Sequence, residues 1–557
     1  MPTDAGDAPV AEDPPARGSV LLRGMIRRHG LGVGGALLGY ALMAFAVRGF
    51  VTDDALITLR YARHLAAGHG IVWNVGQDPV EGFTNFSHVL FGALAIKLGL
   101  PALTTVRAFN LLAGGGLVAL TYSFAWGIFG ARTWAAAAAL LVGLHPALAY
   151  WSVSGLETGS YAAALLLGMW ALDRERSSLA GASFVFCALT RFEGALVAVA
   201  IVSAQLGVDW VRGRGSLRRH VPALVACGLA YGLYFAWRYQ YFGYLLSNSA
   251  YYKSGAHAGA TLLRAFALEL APLLVLVPFA RWTALGATGA MLAASLALYI
   301  AGSYGVKPSV SYMHRFFVPV YAPVVLLACS ALMRFASGGR IAKLASVGAL
   351  LIVLAWDVAN PRSGVVAASS GSYDKGSRMR TRANVAALIA QRFSPCATVA
   401  IQDVGAVGYL LRNPIFDTFG LNDEAFAHRF ARKREKYLEH VLDQAPDAIV
   451  LISEDSVRLT PHYYTDKVIA RNPRFIAGYE RIATAVSAHE SYHYIIYGRR
   501  PLPNAPQASA TVPEGAQPRP PGTLEVDEQL SSADAIEALA LQIAAAQRHA
   551  DCDPAQR

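Results

Sequence analysis

Apolar residues in this chain come in long uninterrupted blocks, near 31–50, 86–100, 104–128, 133–150, 158–172, 177–191, 194–210, 219–241, 261–280, 283–303, 316–334 and 341–358. A helix of about 20 apolar residues spans a hydrocarbon core roughly 30 Å thick. In lipid the backbone must satisfy its own hydrogen bonds, so the blocks are predicted to be transmembrane helices. The run 31–50 follows arginines, as in a signal peptide, but it is long and further spans come after it, so it reads as an uncleaved first helix. Beyond residue 360 the pattern changes. Residues 375–500 mix charge with short β-like runs, ATVAIQDVGAVGYL (397–410), DAIVLIS (447–453) and SYHYIIYGR (491–499), which predict a small soluble α/β domain. Residues 1–28 read as a disordered cytoplasmic N-terminus. Residues 501–557, rich in Pro, Ala, Gly and Gln, read as a mostly disordered tail with a short amphipathic helix near 532–549. No internal repeat is present.

Basic loops orient the blocks. Arg17, Arg23, Arg27 and Arg28 place the N-terminus in the cytoplasm, and the loops 174–177, 211–220 and 334–343 fall on the same side. The loops 51–88, 191–193, 242–260 and 304–315 then lie outside, as does the α/β domain. Four apolar runs between 86 and 172 conflict with this parity, which needs an odd number of crossings. The short run 86–100 is the one expected to be incomplete or re-entrant, giving about 11 crossings, with 12 segments as the rival.

Composition fits. The chain is 54% hydrophobic and 15% charged, well below the roughly 25% charged residues of soluble proteins. The net charge of +11 is accounted for by the basic cytoplasmic loops, and no nucleic-acid binding is expected. Five scattered cysteines, three of them inside apolar blocks, read as apolar fillers with no disulfide framework and no metal spacing.

The candidate chemistry lies in the first outer loop, 51–88. Asp53 and Asp54 follow the first span at the water boundary and open an amphipathic stretch in which Asp53, Ile57, Arg60 and His64 share one helical face. Thr and Asp at a helix start also serve as caps, and either role suits the pair. The same loop carries Trp73, Asn74, Glu81, Asn85 and His88. Other outer loops add Glu157, Arg191 with Glu193, Asn248, Tyr252 and Lys253, then Tyr312, His314 and Arg315. Ionisable groups at membrane depth are costly and mark functional sites. A water-facing carboxylate tuned by a like neighbour can take the proton of an acceptor hydroxyl. Lys253, His314 and Arg315 at headgroup level can hold a lipid phosphate. No Walker lysine motif and no GxGxxG after a strand are present, so the chemistry expected is glycosyl transfer from a polyprenyl-phosphate sugar. In the α/β domain, Asp403, Asp417, Asn422 and Asp423 read as turn and cap residues.

These segments also resemble a known family. DDALITLRYARHLAAGHGIVWNVGQDPVEGFTN (53–85), GLET (155–158), TRFEG (190–194), RYQYFGYLLSNSAYYK (238–253), HRFFVPVYAP (314–323) and DVGAVGYL with DTFGLND (403–423) are similar to the GT-C superfamily of integral-membrane glycosyltransferases. Within it they resemble the terminal arabinofuranosyltransferase group. The resemblance implies a GT-C-like, α-helical polytopic fold in a bacterial inner membrane and inverting transfer from a polyprenyl-phosphate donor. The sugar it implies is D-arabinofuranose, passed to an envelope glycan, glycolipid or protein. Mannose, glucose or aminoarabinose stand as alternative sugars, and a lipid-linked sugar flippase or a sensor as alternative functions. Asp53 or Asp54 would be catalytic, with Asp53 favoured as base. Arg60, His64, Trp73, Asn74, Glu81, Asn85, Glu157, Arg191, Glu193, Asn248, Tyr252, Lys253, His314 and Arg315 would line donor and acceptor. No cofactor and no metal ligand set are read. Ser247 and Phe192 stand where the relatives usually have proline.

Overall fold

A computed structural model describes residues 17–213, 217–253, 259–303, 314–359, 377–430, 433–487, 492–501 and 533–547. The long apolar blocks are helices: α1 (Arg17–Ala46), the loop helices α2 (Asp53–Ala66) and α3 (Phe86–Lys97), then α4 (Ala102–Phe129), α5 (Arg132–Leu144), α6 (Pro146–Val153), α7 (Thr158–Asp173), α8 (Ser177–Thr190), α9 (Gly194–Val211) and α10 (Leu217–Phe242). After the short α11 (Asn248–Lys253), the block expected as a span near 261–280 is not one helix. Instead α12 (Gly259–Glu269) stops before Pro272 and is followed by the one-turn pieces Ala271–Leu274 and Val277–Phe279. Then come α13 (Ala287–Ser303), α14 (Val318–Ala336) and α15 (Arg340–Ala359). Among the described residues five helices are long and apolar enough to cross a membrane. A sixth forms if α5 and α6, bent by 53° where Pro146 offers no N–H to continue the ladder, count as one. Apolar on every side, α14 is buried from Val318 to Leu332 and forms the centre of the bundle.

In the crowded stretch 86–172, α3 is a short element. Its 12 residues rise about 18 Å, short of a bilayer core. It lies on α2, with Gly92 against Leu59 and Ala62. In that stretch α4 is long and apolar enough to cross a membrane, as is the bent α5–α6 pair taken together.

The C-terminal domain holds a five-stranded sheet of β1 (Val399–Ile401), β2 (Ile415–Asp417), β3 (Ala448–Ser453), β4 (Tyr479–Ala485) and β5 (His493–Arg499), in the order β2-β1-β3-β5-β4. β1 runs parallel to β2 and β3, while β5 is antiparallel to β3 and β4. Every residue of β3 is buried, as expected of a central strand covered on both faces. α16 (Ser377–Arg392) packs on this sheet. The β-like run 397–410 is only half strand, because after Ile401 the chain turns at Asp403 into α17 (Val404–Leu410). Within the tail, α18 (Ala533–Ala546) packs on α17 and α4. The cysteine expectation needs one correction: Cys187, Cys227 and Cys329 are free, but Cys396, which lies outside the apolar blocks, is disulfide-bonded.

Candidate functional site

The two carboxylates that open α2 have different surroundings. The side chain of Asp53, 16% exposed, points into the C-terminal domain. Its Oδ2 accepts from the Gly405 N–H at 2.8 Å and its Oδ1 from the Ala406 N–H at 2.9 Å. Both donors belong to the first turn of α17, where unsatisfied amides and the helix dipole favour an anion. Arg382 lies 3.7 Å away and also holds Asp403 at 2.7 Å. Burial raises the Asp53 carboxyl above its ordinary range against the pull of Arg382.

The face that Asp53 shares with Arg60 and His64 continues this docking. Arg60, fully buried, donates to the carbonyls of Trp73, Gly408, Leu411 and Asn413 and to Asn74 Oδ1. Arg63 donates to the carbonyls of Gly408, Tyr409 and Leu411. Together the two arginines cover the C-terminal carbonyls of α17, the end that attracts cations. Trp73 donates its indole N–H to the Ile415 carbonyl at 2.9 Å, and Asn74 pairs with the Ile415 backbone through both side-chain atoms. His64 contacts the Val72 carbonyl at 2.9 Å, and burial with Arg60 and Arg63 lowers its imidazole to about 3, leaving it neutral. Asp53, Arg60, His64, Trp73 and Asn74 thus form or brace a joint between two parts of the chain.

Asp54 faces the other way. Its side chain is 51% exposed and borders a cavity with Thr58, Gly82, Asn85, Leu156, Ser249, Arg315 and Leu421. Arg315 Nη1 lies 3.4 Å from Asp54, and Nη2 donates to Glu157 Oε1 at 3.1 Å. Glu157 is 1% exposed and also takes Arg191 at 3.5 Å and the Asn85 amide at 3.1 Å. Burial alone would raise its carboxyl, but Arg315, Arg191 and His88 outweigh that and hold it down at about 2. Arg191 pairs with Glu193 at 2.6 Å and lies over the rings of Phe316 and Tyr161. Two guanidinium groups are therefore fixed around one buried carboxylate, with Asp54 at the open edge. The cavity is closed to about 30 Å³, room for about one water.

The remaining residues flank this pair. Glu81 forms a two-point ion pair with Arg238, and its carbonyl accepts from the Asn248 N–H at 3.1 Å. The Asn248 amide reaches the Asp423 carbonyl at 3.1 Å. His314, in a left-handed backbone conformation (φ 53°), sits 3.4 Å from Glu269 rather than at the cavity. The side chains of Tyr252 and Lys253, and the whole of Tyr312, lie outside the described residues. Three residues were not picked out from sequence: Thr58, which donates to Asn85 at 2.9 Å, Arg238 and Arg382. Arg238 stands inside the RYQYFGYLLSN motif and so had a signal; Arg382, in a polar helix of another domain, had none. Among the described residues no three His, Cys, Asp or Glu side chains converge as a metal site. In the α/β domain Asp417 accepts from the N–H groups of Phe419, Gly420 and Asn422, and Asp423 from Ala425, the turn-and-cap roles read from sequence.

A helical membrane bundle with a first-loop carboxylate pair and a C-terminal domain seated over it defines a multi-pass membrane protein of GT-C-like fold. The solved structure of ArnT from Cupriavidus metallidurans bound to undecaprenyl phosphate has this fold, with a TM-score of 0.51 and 16% identity, covering 86% of this chain and 98% of that one. Its apo structure gives the same values. A family model described as Domain of unknown function (DUF8728) matches residues 372–497, the α/β domain with its leading helix. No curated protein matches the sequence.

Proposed function

We propose that this protein is a glycosyltransferase that moves a sugar from a polyprenyl-phosphate donor to an envelope glycan, glycolipid or protein on the outer face of a bacterial inner membrane. The observation that carries this reading is Asp54: an accessible carboxylate beside Arg315, the two lining one cavity in an ArnT-like fold. That relative holds undecaprenyl phosphate, which supports a lipid-phosphate donor here. The disulfide at Cys396 supports an oxidising, extracytoplasmic location for the C-terminal domain.

Asp54, rather than Asp53, is the base in this reading. The acceptor hydroxyl gives its proton to Asp54 as its oxygen attacks the anomeric carbon. The bond from that carbon to the phosphate oxygen breaks, and polyprenyl phosphate leaves with the electron pair on the face opposite the attack, which inverts the centre. Arg315 supplies the positive charge that stabilises the departing phosphate without an acid, and Arg191 shares with it the buried Glu157. A sugar needs more room than the closed cavity offers, so Ser249 or Leu421 at its rim must shift when the donor enters. The resemblance of the first loop supports D-arabinofuranose as the sugar. An aminoarabinose donor is the second reading, which an ArnT-like fold fits equally.

The test is transfer by purified protein in nanodiscs from labelled polyprenyl-phosphate arabinose, with the mannose, glucose and aminoarabinose donors in parallel. Asp54→Asn should lower kcat by about 10²-fold or more with no change in melting temperature. Full activity of Asp54→Asn would remove Asp54 from the mechanism, and no transfer from any donor by folded protein would remove the enzyme reading.

A further inference from the structure

A second cavity, of about 830 Å³, lies between the C-terminal end of α1, the N-terminal half of α4 and the tail helix α18. It shares no lining residue with the Asp54 cavity. Ala41, Ala44, Phe45, Leu111 and Leu112 make its wall apolar, and Leu42, Phe45 and Leu112 are exposed on the surface around it. In a membrane bundle such a surface faces hydrocarbon. One end is different in kind, because Arg48 and Arg107 both border it.

The two arginines are not explained by the fold alone. In the orientation proposed above they stand at the outer end of their helices, where the charge rule places few cations. Arg107 covers carbonyls at and beyond helix ends, donating Nε to Val153 at 2.6 Å and Nη2 to Arg48 and to Phe50, the last at 3.4 Å. Its Nη1 has no hydrogen bond among the described residues. Arg48 is exposed; it donates Nη1 to the Phe45 carbonyl at 2.9 Å and lies over the Phe45 ring at 3.9 Å. Asp534, the nearby acid, is engaged by the Thr104 hydroxyl at 2.9 Å, and the cleft end keeps an excess of positive charge. The volume lies within the roughly 300–1,000 Å³ of ligand cavities. An apolar bore open to lipid with two guanidinium groups at headgroup level is complementary to one chemistry, a chain with an anionic phosphate at its end.

We propose that this cleft holds a bilayer lipid with an anionic phosphate headgroup, its tail along Ala41, Ala44, Phe45 and Leu112 and its phosphate between Arg48 and Arg107. The inference rests on the orientation proposed above and not on the transfer reaction. α18 forms one wall, with Glu537 accepting from the Leu103 N–H at 2.6 Å and from the Tyr409 hydroxyl at 3.1 Å. The lipid therefore sits where the tail, the bundle and the α/β domain meet.

The experiment is native mass spectrometry of the full-length protein released from nanodiscs containing phosphatidylglycerol or phosphatidylcholine, with Arg48→Gln and Ala108→Trp beside the wild type. Ala108 lines the bore, and an indole there fills it. The wild type should retain one phosphatidylglycerol and no phosphatidylcholine. Arg48→Gln should bind about fivefold more weakly, the value of one surface cation near an anionic headgroup, and Ala108→Trp should retain none. Equal retention of both lipids, retention unchanged in both variants, or equally good competition by soluble glycerol phosphate would overturn the proposal. Melting temperatures identify any variant that has merely unfolded, and binding is read without a sugar donor.

Discussion

Two neighbouring aspartates show how position on a helix divides labour. Side chains one residue apart on a helix point about 100° apart, so Asp53 meets the amides of α17 while Asp54 meets the cavity. The sequence makes the face of Asp53, Arg60 and His64 visible and invites its assignment to substrate. Its partner is a helix some 350 residues away, which no local pattern reveals. The two Asn variants should therefore fail differently. Asp54→Asn loses transfer and keeps its melting temperature. Asp53→Asn offers an NH₂ where a buried carboxylate oxygen met an amide, which costs about 1–3 kcal/mol and lowers both melting temperature and activity; equal melting of the two variants would refute this division. A third acid reports on pH. Burial lifts the Asp466 carboxyl to about 7, although the N–H groups of Ile452 and Tyr463 donate to it. Its folded value lies above the unfolded value of about 3.9, so its contribution to stability is fully present below about pH 4 and lost as pH rises through 7. Between pH 5 and 7 this group alone lowers stability by up to about 1.4 kcal/mol per pH unit. In Asp466→Asn, which cannot titrate, the fall in melting temperature across that window should flatten; an unchanged slope would assign it to other groups.

At the scale of elements, α2 and α17 fit as charged rod and dipole. The acid of α2 sits at the positive end of α17 and its two arginines at the negative end. Contact this close needs small residues on α17. A Cβ on Gly405 would lie 2.0 Å from the Asp53 carbonyl oxygen, and one on Gly408 would lie 3.0 Å from the Trp73 ring. Gly405→Ala should consequently prise the helices apart although alanine is the better helix former. The expected outcome is faster limited proteolysis within 377–500 and melting lower by several degrees, whereas a stabilised variant would mean that the two helices do not need this close approach. The sequence makes the helices of the bundle and β1, β3 and β5 legible, because long apolar blocks and alternating runs are strong local signals. It conceals β2 and β4: Ile415–Asp417 is only three residues, and Tyr479–Ala485 carries exposed Glu480 and Arg481 on an edge strand with an irregular register. It also misreads Val404–Leu410, where valine and small residues continue the run of β1 but a helix forms to meet α2.

At the scale of the molecule, one buried apolar cluster joins α2, α3 and the start of α4 to the α/β domain, and polar groups buried beside it set their register. Arg60 is central among these groups, and its guanidinium spans the loop at Trp73 and Asn74 and the carbonyls of Gly408, Leu411 and Asn413. Leu421, at the rim of the Asp54 cavity, and Asp423, which receives Asn248, both belong to the domain that this arginine holds. Loss of Arg60 should therefore reach the site from a distance. Arg60→Ala strands several buried carbonyls at a cost of about 3 kcal/mol or more. Arg60→Lys should not rescue it, because an ammonium on a flexible stem cannot reproduce the planar fork. Both variants should expose residues 377–500 to protease in the native membrane and lower transfer in parallel. A variant as protease-resistant as the wild type but inactive would instead mean that Arg60 acts on the substrate, as its place in the first-loop motif first implied. If the domain is released while transfer is retained, the cavity works without its C-terminal rim, and the role of Leu421 in admitting the donor falls with it.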